Sequence, residues 1–341
     1  MSWPTALPSV TVVLCTRRRP HALTRCLESL HRLQYPDVSI LVIENDSVSS
    51  EAEDIAASYG AEYRLCTRQG LSAARNFGVR LSSSELLAFI DDDATCEPDW
   101  LVNAAPLFRD SKVQAVTGKI LFHSMHSAHE PSHEFDPGTR TVSRTTPDWF
   151  GMANFGGLGL GSNFLVRRSA FDLVEGFDER LGRGASLHCS EENDLLFRIL
   201  DAGYSVATCS TSVVRHPAAV AYDEKETFRS IAASTVMVTL LAAEHPRHLS
   251  HLFRYLLGAV ARKPQSWRER PTQLFGSMGS RSTIYSALFA GPFIYLLATM
   301  RHAIYGTPQH EASLTTTTAV LAQTAPHSAD GPVRRLRAHI S

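Results

Sequence analysis

Several absences narrow what this chain can be. Its six cysteines, at 15, 26, 66, 96, 189 and 209, form no Cys-x-x-Cys pair. That argues against a zinc ribbon or a disulfide frame and for reduced thiols. Charge of one sign is also missing: 33 Lys and Arg against 34 Asp and Glu leave a formal net charge of −1. No global field therefore draws in nucleic acid or repels acidic substrates, and no nucleic-acid partner is expected. Met1-Ser2-Trp3-Pro4 carries neither a basic region nor an apolar one, so no secretory signal is legible. The expected location is the cytoplasm, with the inner face of the cell membrane as an option. Neither a Gly-x-x-x-x-Gly-Lys-Ser/Thr loop nor a Gly-x-Gly-x-x-Gly turn follows the first apolar run, which argues against a P-loop or a dinucleotide site.

What remains is an ordinary globular composition, 44% hydrophobic and 20% charged, enough for a sizeable core. The apolar runs 10–14, 39–43, 62–65, 86–90 and 113–117 read as strands. Between them, apolar residues recur at helical spacing over 23–33, 51–58, 71–78 and 99–108. Alternating strands and helices predict an α/β fold with a mostly parallel, Rossmann-like sheet flanked by helices. In such sheets ligands bind outside the carboxyl ends of the strands.

That rule gathers the chemistry. Thr16-Arg17-Arg18-Arg19-Pro20 follows the first strand, Glu44-Asn45-Asp46-Ser47 the second, and Asp91-Asp92-Asp93 the run Leu86-Leu87-Ala88-Phe89-Ile90. Two like charges about 4 Å apart repel by roughly 1 kcal/mol in water and about 4 kcal/mol at a half-buried site. Three adjacent carboxylates are thus either solvated or gathered around a cation. Period 2 puts Asp91 and Asp93 on one side and Asp92 on the other, and a hard divalent cation prefers such oxygen ligands. Arginines suit phosphate. Together these loops predict a site for a nucleotide diphosphate with Mg2+ or Mn2+.

A second acidic cluster, Ser190-Glu191-Glu192-Asn193-Asp194, precedes the amphipathic run 195–200 and reads as a serine-capped helix start. Acids there suit the helix dipole, but Glu191 or Glu192 could also serve as a general base. Residues 120–150 lose periodicity and read as a loop near the substrate mouth. Its histidines 123, 126, 129 and 133 match no zinc spacing. Trp149-Phe150-Gly151 and the glycines at 156, 157, 159 and 161 read as a loop close to a ligand, before a strand over 162–167. Trp149 and Asn163 are the acceptor-side candidates.

In this order, five pieces resemble a family 2 glycosyltransferase, inverting and of GT-A fold. They are Val-Val-Leu-Cys-Thr-Arg-Arg-Arg-Pro (12–20), Val-Ile-Glu-Asn-Asp-Ser (42–47), Gly-Leu-Ser-Ala-Ala-Arg-Asn (70–76), Phe-Ile-Asp-Asp-Asp (89–93) and Gly-Phe-Asp-Glu-Arg-Leu (176–181) with Ser-Glu-Glu-Asn-Asp-Leu-Leu-Phe-Arg (190–198). The resemblance covers about 10–217. It implies a nucleotide-diphosphate sugar donor held by Thr16, Arg17, Glu44, Asp46, Arg75, Asp91 and Asp92. It implies Asp91 and Asp93 as the Asp-x-Asp pair, His216 as a further metal ligand and Glu192, with Glu191 beside it, as the base. The acceptor stays unspecified. Two departures stand out: the family usually has Asp where Glu44 stands and Glu-Asp where Glu191-Glu192 stands. A sugar-phosphate nucleotidyltransferase is the runner-up, although the basic loop is no Gly-rich one with a lysine; an inactive transferase fold docked at a membrane is the third option.

The expected domains are a catalytic unit over 1–219, divided near 119 and 120 into donor and acceptor halves, a helical region over 220–306 and a disordered tail over 307–341. The region 229–301 is the expected membrane contact, peripheral or as one span. Within it, Ser282 to Met300 runs 19 residues without a charge, at the threshold for crossing a bilayer.

Overall fold

The computed structural model describes residues 7–45, 50–124, 127–185, 187, 190–218, 236–261 and the single positions 292, 295 and 296. Asp46, His126, residues 219–235, the tail from 307 and nearly all of 282–300 lie outside the described residues. So do most of the expected helical region and the run expected as a span.

Among the described residues, ten strands form one sheet. They are β1 (Val10–Thr16), β2 (Val38–Asn45), β3 (Glu62–Cys66), β4 (Leu86–Asp91), β5 (Thr95–Cys96), β6 (Val113–Ser124), β7 (Ser127–Phe135), β8 (Arg140–Val142), β9 (Phe164–Arg167) and β10 (Ser205–Pro217). The order is β3-β2-β1-β4-β9-β6-β10-β5, with β7 beside β6 and β8 beside β10. The helices are α1 (Pro20–Leu30), α2 (Ser50–Ser58), α3 (Leu71–Leu81), α4 (Trp100–Ala104), α5 (Trp149–Asn154), α6 (Arg168–Val174), α7 (Glu191–Asp201), α8 (236–244) and α9 (Leu249–Ala261).

The expected parallel arrangement holds for β1 with β2 and β4, and for β2 with β3. Beyond β4 the sheet is mixed. Strand β9 lies antiparallel between β4 and β6, while β6 and β10 are parallel. The expected loop over 120–150 is corrected: β6 runs on to Ser124 and turns back as β7, followed by β8 and α5.

Alternation along β1 builds the two cores. Val10, Val12 and Leu14 face one side with Leu23, Cys26, Leu27 and Leu30 of α1. Val13 faces the other, where α3 approaches so closely that a Cβ on Gly78 would stand 2.5 Å from Val13 Cγ1. Phe89 and Phe164 stack across β4 and β9 at 4.7 Å. Met237, Leu241 and Leu252 of α8 and α9 join this second core. Among the described residues no helix is long and apolar enough to cross a membrane.

Candidate active site

The site sits at the carboxyl ends of β1, β2, β4 and β10. Strand β4 ends at Asp91, and a turn closed by Ala94 N–H donating to Asp91 C=O leads into β5. Strand β5 pairs antiparallel with Val214 and Arg215 of β10. That pairing carries His216, distant in sequence and three strands from β4 in the sheet, to the aspartates. His216 Nε2 stands 3.3 Å from Asp93 Oδ1 and 3.7 Å from Asp91 Oδ2. The ligand atoms of Asp91, Asp93 and His216 all lie within 4.8 Å of one another.

Asp92 and Asp93 lie in the turn after β4, not in an extended strand, and there Asp92 points away from His216 toward the β1 loop. It is buried, accepts from Thr16 Oγ1 at 2.8 Å and pairs with Arg19 Nη1 at 3.0 Å. Arg19 Nη1 also reaches Asp93 Oδ2 at 3.0 Å. Thr16 and Arg19 are the loop residues that meet the aspartates; Arg17, expected in the nucleotide pocket, is not among them. Arg17 is exposed. The consecutive basic residues alone could not separate them, because the turn into α1 decides which side chain faces the triplet.

Electrostatics follow the geometry. Burial lowers the His216 pKa, but hydrogen bonds and charge from Asp91 and Asp93 outweigh it and push it up to about 10. Burial raises Asp93, yet His216 and then Arg19 bring it down to about 2. At Asp91 burial is again outweighed, by His216 and Arg75, and the pKa is lowered. Asp92 is raised by its burial. Two carboxylates and an imidazole converging on one point form a donor set suited to a divalent cation such as Mg2+ or Mn2+.

Arg75 joins this cluster to the second one. Its side chain is only 3% exposed. Nη1 donates to Glu191 Oε1 at 3.0 Å, and Nη2 to Gly161 C=O at 2.8 Å and to Asp91 Oδ1 at 3.4 Å. The rings of Phe89, Phe164 and Phe177 surround the guanidinium. The rest of the 70–76 segment positions it. Asn45 Oδ1 accepts from Gly70 N–H, Ser72 donates to Leu181 C=O, and Asn76 brackets Phe177 through both its backbone N–H and its C=O. Nothing in their spacing marks Asn45 and Asn76 for this role, although both lie inside motifs. Gly182, at φ +96°, leaves room for Glu191: a Cβ there would stand 3.2 Å from its carboxyl.

Glu191 and Glu192 open α7, but one helical step separates their environments. Glu191 is held by Arg75. The half-buried carboxyl of Glu192 lies beside Gly161, and burial, reinforced by the charge of Glu191, pushes its pKa up to about 8. Ser190 occupies the N-cap position in a left-handed conformation and makes no side-chain cap bond, so the expected serine cap is absent.

The remaining candidates fall as follows. Glu44 is fully buried at the end of β2 and accepts from Tyr63 Oη at 2.6 Å. Asn163 is fully buried too. Its Oδ1 accepts from Trp100 Nε1, and its Nδ2 donates to the carbonyls of Lys119 and Ser212. Trp149 is buried in α5, stacked parallel to Phe197. The structure therefore does not bring Trp149 and Asn163 to the cleft. Both are polar-tipped residues near glycines, a pattern shared by ligand loops and by close internal packing. On the hairpin, His133 stacks on Phe122, which meets the His216 ring edge-on at 5.9 Å.

Residues 11–174 match the family model described as glycosyl transferase family 2. Similar proteins include the glycosyltransferase AglE of Haloferax volcanii, 26% identical over 220 residues, which span 62% of this chain and 68% of that protein. Another is the succinoglycan biosynthesis protein ExoM of Rhizobium meliloti, 28% identical over 236 residues, 65% of this chain and 72% of that one. Among solved structures, the mannosyltransferase PcManGT from Pyrobaculum calidifontis in complex with GDP-Man and Mn2+ matches with a TM-score of 0.51 at 16% identity. The match covers 95% of this chain and 83% of that one, and bears on the fold alone.

Proposed function

Since residues 11–174 match the model of glycosyl transferase family 2 and the fold is similar to that of a mannosyltransferase, we propose that the chain is a glycosyltransferase of this family and moves a sugar from a nucleotide-diphosphate donor to an acceptor hydroxyl or amine, with inversion and with Mg2+ or Mn2+. Asp91, Asp93 and His216 would hold the cation. When bound, it would neutralise the charge of the leaving diphosphate. Arg19, 44% exposed at its side chain and already paired with Asp92 and Asp93, is placed to meet phosphate oxygens as those carboxylates are taken up. Glu44 is fully buried and holds the Tyr63 hydroxyl, so the base or ribose contact that the family pattern assigns to it would run through Tyr63.

Proton removal from the acceptor falls to Glu192. A general base works best with a pKa near the operating pH, and a carboxyl raised to about 8 meets that condition. Glu191 is less available, since its carboxylate is fixed by Arg75. Arg75 is then a positioning residue: it anchors the metal-side Asp91 and the base-side turn of α7 on one buried guanidinium. The observation that carries this reading is the Asp91–Asp93–His216 cluster linked through Arg75 to the start of α7.

The test screens UDP-, GDP- and dTDP-sugars by calorimetry with and without Mn2+. Binding of one donor class that vanishes with chelator and in Asp93→Ala is expected. Donor binding indifferent to both would remove the metal from the proposal. Once an acceptor is found, Glu192→Gln should bind donor normally and transfer nothing measurable.

A further inference from the structure

Helix α9 has two unlike sides. One packs on α5: Leu252 is buried, Tyr255 stacks on Phe155 with centroids 4.1 Å apart, and His251 meets Trp149 and Phe150. The other side carries Leu249, 48% exposed, and Phe253, at 64% the most exposed large apolar side chain among the described residues. Four residues apart, these two share a helix face. Two large apolar side chains turned away from the protein body on one helix face need a cover.

The charge around it says which. Arg254, next to Phe253, is exposed, as is Arg144, whose charge reaches His251. Arg247 pairs with Asp201 yet leaves 69% of its side chain exposed. From 245 to 268 the sequence has Arg247, Arg254, Arg262, Lys263 and Arg268 and neither Asp nor Glu. A second copy meeting this face symmetrically would set like charge against like charge. An anionic surface has no such conflict.

We propose that the outer face of α9 docks on an anionic lipid bilayer, with Leu249 and Phe253 entering the acyl boundary and the arginines meeting headgroup phosphates. A helix with an apolar stripe and a basic flank lies in the interface plane in this way.

The test floats the full chain with vesicles of phosphatidylcholine, with or without phosphatidylglycerol. The wild type should float with the anionic vesicles and detach as salt rises. The double variant Leu249→Gln, Phe253→Gln should lower the partition coefficient by at least about tenfold, and Arg254→Gln by about fivefold. Unchanged circular dichroism and sedimentation would show that both variants stay folded. No flotation of the wild type, equal flotation with neutral vesicles, or undiminished flotation of the double variant overturns the proposal. A wild-type dimer that the double variant dissolves also overturns it, assigning the face to self-association.

Discussion

Cation binding at Asp91, Asp93 and His216 should release a proton, and the size of the effect follows from the site. Before a cation binds, the two carboxylates hold the imidazolium and raise His216 to about 10. A metal ligand must be the neutral imidazole. At pH about 7 the cation therefore displaces a proton from a group titrating some three pH units higher, which lowers its apparent affinity about a thousandfold, or about 4 kcal/mol. Affinity for Mn2+ should rise close to tenfold per unit between about pH 6 and about pH 8. Calorimetry in two buffers of different ionisation enthalpy should count about one proton released, and His216→Gln should abolish both the release and the slope. Stability must agree in sign. A histidine raised above 6.5 stabilises the fold fully below that value and loses its contribution as pH climbs through about 10. The metal-free protein should melt at lower temperature toward alkaline pH for this reason. Binding without proton release, or an equal slope in His216→Gln, would refute the linkage and remove His216 from the ligand set.

Other outcomes test the rest of the site. Glu192, raised to about 8 from 4.5, must lose its proton to act, so transfer should climb about tenfold per pH unit and level near pH 8; a profile flat over that range moves the base elsewhere. In the same window its ionisation opposes folding, so stability should fall with rising pH by an amount that Glu192→Gln removes. Arg75→Met strands Glu191 and should destabilise the fold by about 3–5 kcal/mol in urea unfolding, with weaker Mn2+ binding as a second readout. Asn163→Leu removes the partner of the buried Trp100 indole N–H and a bond to the buried Ser212 carbonyl and should cost about 2–4 kcal/mol; a neutral effect would mean that water enters the site.

The sequence alone determined those features that rest on local rules. The apolar runs of β1, β2 and β4 were legible as strands because they are short and bounded by polar residues and, in β1 and β2, rich in β-branched side chains. Period 2 singled out Asp91 and Asp93, but the pair meets at His216 through the turn after β4 and not through extended alternation. The strand-end rule gathered the basic loop and the aspartates. Tertiary structure alone decided which strands become neighbours. Strand β9 enters antiparallel between β4 and β6, and β5 pairs with β10 to deliver His216, both pairings between segments distant in the chain. The interior positions of Trp149 and Asn163 were equally illegible, because an aromatic or an amide among glycines has the same pattern in a ligand loop as in a core. Glu191 and Glu192 are chemically identical and adjacent; the rotation of α7 about its axis gives one to Arg75 and leaves the other beside Gly161 with a raised pKa.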